Sequence, residues 1–249
     1  MVEPTLIGRL GNFMFEVATA YAYSLRHNME YSLNKSEDVN NYIDRFFPHL
    51  ETGKQLPANH SQWIEPQHNY HAIPYFEHVK IKEYFQSEKY FNEYRQEILG
   101  LFKFPYEFKK GVVSIHVRRG DYVTYYTQFP PVTDRYLLAA IKLMSANGYN
   151  KFLVFSDDIE WCKNLFSESR FSKYSFEYSE GKNEFEDMAL GSHCEHNIIS
   201  NSTFSWWQAW LNQNPNKIVV SPSKHNWFGK RVKLSTEDII PENWVQIRF

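Results

Sequence analysis

The stretch Gly111–Tyr122, GVVSIHVRRGDY, decides how the chain is read. Val112, Val113, Ile115 and Val117 give it the short apolar run of a strand buried on both faces of a parallel sheet. The run then turns polar at His116, Arg118, Arg119, Gly120 and Asp121. Side chains alternate along a strand, so Ser114, His116 and Arg118 share one side. An imidazole and a guanidinium therefore stand together at the carboxyl end of a central strand, the end at which open α/β sheets bind ligands. Gly120 lets the backbone turn there or approach a ligand closely. Arg119 points the opposite way and is expected to be structural, held by Asp121.

Composition narrows the classes around this strand. The chain has 249 residues, 43% hydrophobic and 22% charged, as in an ordinary globular protein of one large or two smaller domains. A net charge of −2 argues against a duplex nucleic-acid partner. The 18% aromatic content serves a core and also suits stacking on sugars or bases. Cys162 and Cys194 are too few for a disulfide framework, so a reducing compartment is expected. No metal site is expected either: His49, His60, His68 and His71 lack an i+4 histidine partner with an intervening acid. The start, MVEPTLIGRLGN, has neither the basic segment nor the apolar run of a signal peptide, and no apolar stretch is long enough to span a bilayer. A cytoplasmic protein is expected, with docking on a membrane surface left open.

In chain order, Thr5–Ile7 reads as the end of a first strand. GRLGNFMFE, Gly8–Glu16, is then a glycine turn opening a helix, because Met14, Val17/Ala18, Tyr21/Ala22 and Leu25 recur at helical spacing. The spacing is GxxGN, not GxGxxG, so there is no dinucleotide fingerprint; Gly11 and Asn12 are candidates for a ligand-facing loop. Residues 29–70, broken by Pro48, Pro57 and Pro66, predict short helices and loops. Val79–Gln86 predicts a strand, Ser87–Phe102 a helix and Lys103–Lys110 a linker. From there, strands at Val112–Val117, Lys151–Phe155, Phe176–Tyr178, His196–Ser200 and Lys217–Val220 alternate with helices after Thr133, over Ile159–Phe166, over Asn183–Ser192 and from Asn201-Ser202-Thr203. Such alternation is a doubly wound parallel sheet. The fold expected is α/β, with two Rossmann-like domains, residues 1–105 and 106–249, facing a cleft.

Three polar clusters directly follow strands in the second half: His116/Arg118/Asp121, Ser156/Asp157/Asp158 and Ser200–Thr203. The strand-end rule lines them along one crevice. Ser202 and Thr203 open a helix, where free amides and the helix dipole favour an anion; a plain N-cap is the other reading. Arg118 is a forked, permanent cation suited to phosphate oxygens. Asp157 and Asp158 are adjacent, so their side chains diverge; helix capping or ribose contact fits them better than a divalent cation. Asp187, inside a helix, is either a solvated acid or, if buried, an acceptor for the N1–H and 2-amino group of guanine. Val123–Val132, an aromatic loop, is either an ordinary packed loop or a lid or acceptor wall.

Taken together, GRLGNFMFE, HVRRGDY, FSDD and SNSTFSWW, in this order, resemble the bacterial α-1,2-fucosyltransferases of glycosyltransferase family 11, over nearly the whole chain. The His-x-Arg element is shared with the more distant α-1,6- and protein O-fucosyltransferases. The resemblance implies a GT-B-like fold whose second domain binds GDP-fucose, an inverting transfer of L-fucose to O2 of a galactose, and no metal cofactor. It implies that Arg118 contacts the β-phosphate, His116 the nucleoside side, Asp187 the guanine and Ser202/Thr203 the phosphates, with the Asn12 loop approaching fucose from the first domain. Asn201 and Asp157 complete the donor contacts expected, and a galactose-terminated glycan is the acceptor. One departure is Phe13, where the family loop usually carries Gln. No general base is singled out; Asp121 is near by sequence, but pairing with Arg119 accounts for it equally. By analogy the setting is assembly of a bacterial surface polysaccharide, in the cytoplasm or peripherally at the inner membrane. A metal-dependent glycosyltransferase and a non-catalytic carbohydrate-binding protein are the competing readings.

Overall fold

A computed structural model describes residues 1–181 and 183–249. The chain divides into two compact units, Met1–Lys103 with Leu234–Pro241, and Phe104–Lys233 with Glu242–Phe249. The sequence places a single boundary between residues 105 and 106; the return of Leu234–Pro241 to the first unit carries no such mark.

The first unit is α/β. It contains β1 (Val2–Pro4), α1 (Leu10–Arg26), α2 (Tyr42–Phe46), β2 (Ser61–Ile64), β3 (Val79–Lys82) and α3 (Arg95–Leu101). Its three strands are all parallel, in the order β1-β3-β2. Gly8, at φ +79°, makes the turn into α1, and the amides of Asn12 and Phe13 bond back to the Arg9 carbonyl. The helix therefore begins at Leu10, and Gly11 and Asn12 lie in its first turn, not in a loop ahead of it. Strand β1 ends at Pro4, ahead of the Thr5–Ile7 expected, and β3 ends at Lys82.

Ser87–Phe102 is not one helix. Two 3₁₀ turns, Glu88–Tyr90 and Asn92–Tyr94, precede α3. Tyr90 and Phe91 are both buried, the first against Phe85 and Tyr70, the second against Phe15. Neighbouring residues on an α-helix point about 100° apart. Phe91 leaves the helical region (φ −143°, ψ −3°), and both rings reach their partners.

The second unit is the doubly wound sheet. Its strands are β4 (Lys109–Val117), β5 (Lys151–Ser156), β6 (Ser175–Tyr178), β7 (Cys194–Ile198), β8 (Val219–Pro222) and β9 (Val245–Ile247). Between them lie α4 (Gly120–Thr124), α5 (Asp134–Ala146), α6 (Ile159–Phe166), α7 (Glu184–Ser192) and α8 (Thr203–Leu211). The sheet is entirely parallel, in the order β6-β5-β4-β7-β8-β9. Counted from β4 this is 3-2-1-4-5-6, the order of a dinucleotide-binding sheet, with its switch point between β4 and β7.

Alternation along β4 sorts its side chains. Val113, Ile115 and Val117 join Leu137, Ile141, Phe152 and Val154 in the main core. Ser114 and His116 face the other way, into a buried polar seam. Asn197 Nδ2 donates to Ser114 Oγ at 2.7 Å and to the Gly191 carbonyl at 2.9 Å, and Asn212 Nδ2 donates to Asn197 Oδ1 at 2.8 Å. Buried amides and hydroxyls are tolerated when satisfied in this way, and the seam fixes α7 and α8 against β4 and β7. Behind α8, Trp206, Trp207, Trp210 and Trp244 are all buried, so the SWW aromatics are core, not sugar-stacking surface.

Candidate active site

Four successive strands of the second unit end in polar residues at the carboxyl edge of the sheet. After β4 come Arg118–Asp121, after β5 Asp157-Asp158, after β6 Ser179, and after β7 Ser200–Thr203.

Arg118 is held on two sides. Nη2 donates to Asp121 Oδ1 at 2.6 Å, and Nη1 lies 2.7 Å from Asp157 Oδ2. The Tyr122 ring stands 5.6 Å from its guanidinium, and the Tyr122 hydroxyl donates to the Asn201 carbonyl at 3.0 Å. Arg119 turns the other way. Its Nε donates to Asp158 Oδ2 at 3.0 Å and its guanidinium lies 3.9 Å over the Trp161 ring. Asp121 thus pairs with Arg118, not with Arg119 as the sequence suggested. The reason is the turn: α4 begins at Gly120 and brings Asp121 back to Arg118, three residues earlier, while the acid for Arg119 is Asp158, from the turn after β5.

Asp157 does not present a free carboxylate. Its Oδ1 accepts the Arg119 amide at 2.8 Å while Oδ2 holds Arg118. A Cβ on Gly120 would stand 2.5 Å from Asp157 Oδ2, so the close approach that this glycine permits is to Asp157. Asp158 caps α6 through Trp161 N at 3.3 Å. Both acids are engaged by arginines or backbone, and no group of three or more His, Cys, Asp or Glu able to hold a metal occurs among the described residues.

His116 sits at the switch point. Its Nδ1 lies 2.9 Å from Ser200 Oγ across to the end of β7, and its ring packs on Phe204 at 5.2 Å. Burial, and after it the neighbouring charge of Arg118, lowers its pKa to about 3. The ring is therefore neutral at physiological pH, a hydrogen-bonding group and not a cation.

Ser202 is the N-cap residue of α8, in extended backbone (φ −131°, ψ 132°), yet its side chain makes no capping bond. The plain side-chain cap is not made by Ser202, which opens a nine-residue helix at the switch point. Asn201, next to Ser202, ties the site to its surroundings. Its Nδ2 donates to the Pro130 and Trp227 carbonyls at 3.0 and 2.9 Å, which fastens two loops beside the site, and its Oδ1 is buried without a hydrogen-bond partner among the described residues.

Asp187 is not a solvated helix acid. It lies in the first turn of α7, partly buried, and accepts a hydrogen bond from Ser179 Oγ at 2.6 Å. Burial raises its pKa, the Ser179 bond opposes the rise, and Glu186 and Glu184 add to it. A side chain at Gly181 would collide with Asp187 Oδ1. Nothing local in the sequence marks Ser179 or Tyr122 as partners of the site, because one is brought in by the end of β6 and the other by the turn into α4.

Gly11 and Asn12 belong to the first unit. Asn12 Oδ1 accepts from Gln86 Nε2 at 3.1 Å, and Gln86 Oε1 lies 3.3 Å from His68 Nε2. Phe13 points into the core of that unit, between Tyr42 and Phe47. An apolar side chain here is thus accounted for by packing.

The family model described as glycosyl transferase family 11 matches residues 1–248. The Alpha-1,2-colitosyltransferase of Escherichia coli is 34% identical over 185 residues, covering 68% of this chain and 62% of the relative. The O-antigen biosynthesis glycosyltransferase WbnK of Escherichia coli is 35% identical over 184 residues, 66% of this chain and 59% of the relative. Galactoside alpha-(1,2)-fucosyltransferase 2 of Oryctolagus cuniculus is 28% identical over 239 residues, 82% of this chain and 65% of the relative. The matches thus span less than two thirds of each relative's own length. A dinucleotide-type sheet with an arginine and a helix start at its switch point, in a chain matched by one family model over residues 1–248, leads to one assignment: the chain belongs to glycosyl transferase family 11.

Proposed function

We propose that the protein transfers L-fucose from GDP-β-L-fucose to O2 of a galactose residue, with inversion to an α-linkage. What supports this reading is the switch point itself: Arg118 follows β4, the α8 amides follow the neighbouring strand β7, and sheets of this order bind diphosphates at that edge. The acceptor hydroxyl attacks the anomeric carbon from the face opposite GDP. The C1–O bond breaks with its electron pair going to the β-phosphate oxygen, and the hydroxyl proton passes to a base. Charge therefore grows on the diphosphate. A guanidinium and a helix dipole that meet this growing charge stabilise the transition state more than the ground state. With that charge met by the protein, we take the reaction to proceed without a metal. Neutral His116 orients the nucleoside side, and Asp187 reads the N1–H and 2-amino edge of guanine.

A second donor is favoured by one relative, the colitosyltransferase at 34% identity: colitose carried on the same nucleotide. The experiment for both is GDP release with GDP-fucose and with GDP-colitose, each given a galactoside acceptor, followed by linkage determination of the product by NMR. Fucose transfer to O2 is expected; activity with neither donor, or a product linked elsewhere, refutes the reading. Activity that disappears with EDTA returns the metal-dependent alternative. Arg118→Ala is expected to lower kcat/KM by about 100-fold or more. We further propose a place in surface-glycan assembly on the cytoplasmic side, supported by the relative named for O-antigen biosynthesis. No helix among the described residues is long and apolar enough to cross a membrane.

A further inference from the structure

The sheet of the first unit has a switch point of its own. Val2 of β1 is bridged in parallel by Tyr31 on one side; β3 pairs with β1 on the other, and β2 lies outside β3. The chain therefore leaves β1 to one side, through α1, and later comes back on the other. In open parallel sheets, ligands sit at the carboxyl ends of two strands so related.

Three strand ends supply polar groups there. Gly8 and Asn12 follow β1, Glu65 and His68 follow β2, and Gln86 follows β3. The backbone that places them is strained. Gln67, His68, Glu83 and Phe85 all have positive φ, from 50° to 97°. Residues other than glycine hold such angles only where the surroundings impose them, and they gather at binding sites. Across the switch point, Gln86 Nε2 donates to Asn12 Oδ1 at 3.1 Å. Gln86 Oε1 faces His68 Nε2 at 3.3 Å, and because an amide oxygen only accepts, that nitrogen carries the hydrogen. Behind it, His68 Nδ1 stands 3.9 Å from the wholly buried Glu65 carboxylate. Gly8 leaves the room in which the Asn12 amide lies, since a Cβ there would stand 2.4 Å from Asn12 Nδ2. With Oδ1 bonded to Gln86, the amide has its Nδ2 to offer a ligand.

We infer that this edge is a sugar-binding site, in which Asn12 Nδ2 donates to a sugar oxygen and Gln86, backed by His68, is the positioning residue that holds the amide in that orientation. The two amides are neutral, and burial lowers the pKa of His68, so the ring stays neutral too. Neutral donors and acceptors suit hydroxyls and ring oxygens. The inference rests on the protein being a glycosyltransferase, which brings two sugars, the one transferred and the acceptor.

Asn12→Ala is expected to lower kcat/KM about tenfold, the scale of one hydrogen bond lost, and Gln86→Met, close in size but unable to hold the amide, about three- to tenfold. Steady-state transfer by the full chain is measured for each variant and for the double variant, with GDP-fucose and a galactoside varied in turn. A thermal melt accompanies each, and Gln86→Ala replaces Gln86→Met should that variant fail to fold. The substrate whose kcat/KM falls is the one whose sugar the amide meets, and a fall for either supports the site. Because Gln86 acts through Asn12, the double variant loses nothing beyond Asn12→Ala, which a merely structural Gln86 would not give. GDP, which lacks the transferred sugar, binds all variants as it binds the wild type in isothermal titration. Wild-type kcat/KM in Asn12→Ala or in a folded Gln86 variant overturns the inference, as does an additive loss in the double variant. Weakened GDP binding makes the amide a diphosphate contact and overturns the sugar assignment. A wild-type protein that transfers no sugar overturns the underlying transferase reading, and this site with it.

Discussion

Replacing Gly120 with alanine tests the link between the RRGD turn and the β5 turn. The added Cβ would stand 2.5 Å from Asp157 Oδ2 and 3.2 Å from its Cγ. Carbon and oxygen in ordinary contact need roughly 0.7 Å more than the shorter of these distances. Asp157 must therefore withdraw. Its Oδ2 now lies 2.7 Å from Arg118 Nη1, so a shift of that size takes the pair past the limit of a good charged hydrogen bond. The fork of Arg118 loses its fixed side. Misplacement of a catalytic group by about 1 Å can cost on the order of 100-fold, so kcat/KM for GDP-fucose is expected to fall about 10- to 100-fold. Stability should hardly move. Gly120 is the first residue of a helix and has no positive φ, and alanine is the better helix former there, by at most about 1 kcal/mol. For a chain of this size such a change moves Tm by only about 2–4 °C. The assay is steady-state GDP release at varied GDP-fucose beside a thermal melt, repeated in an Arg118→Ala background. If Gly120 acts through Arg118, the double variant loses nothing beyond Arg118→Ala. Near-normal kcat/KM in Gly120→Ala, or a full additive loss in the double variant, refutes the reasoning.

Three further outcomes are expected. Ser202→Ala should leave Tm in place, because Ser202 makes no side-chain capping bond where an ordinary cap is worth about 1 kcal/mol, yet raise KM for GDP-fucose about tenfold; a cap-sized loss of stability with unchanged KM contradicts this. Gly181→Ala drives a side chain into Asp187 Oδ1 and should erase the preference for GDP over IDP, which lacks the 2-amino group; titration with both nucleotides reads the ratio, and a preserved preference removes Asp187 from guanine recognition. In the first unit, burial raises Glu65 to a pKa of about 7, above its ordinary value near 4.5. Raised in this way, its contribution to stability is present below the ordinary value and is lost as pH rises through about 7. Glu65→Gln has no proton to lose, so it should gain on the wild type by about 2–3 kcal/mol at pH 8.5, with the gain shrinking toward pH 5. Denaturant unfolding at the two pH values measures it, and a gain that grows on acidification shows the sign to be wrong.

Much of the second unit was legible because local chemistry and fold agree there. Ile159–Phe166 is found where periodicity and the Asp158 cap place it, and KFLVF is β5. The first unit was harder. β2, Ser61–Ile64, is almost wholly exposed and has no apolar alternation to announce it. β9, Val245–Ile247, is three residues long and is made a strand only by pairing with β8. At the site, the strand-end rule located the clusters but not their pairings.

The sequence by itself determined the parallel α/β architecture of the second unit, the strand carrying His116 and Arg118, and the family. Apolar runs, turn residues and short motifs are local, and each is set by the residues beside it. Only the tertiary structure decided which acid holds which arginine, that Ser202 makes no side-chain cap, and that Asn201 fastens loops. Apart from Asp121, which the turn into α4 brings to Arg118, the pairings at the site are matters of register across β4, β5 and β7. Asp157 meets Arg118 because Val117 pairs with Ser156, and His116 meets Ser200 because Ile115 pairs with Ile198. No single stretch of chain contains that information, since the partners are separated by dozens of residues and joined only by the sheet.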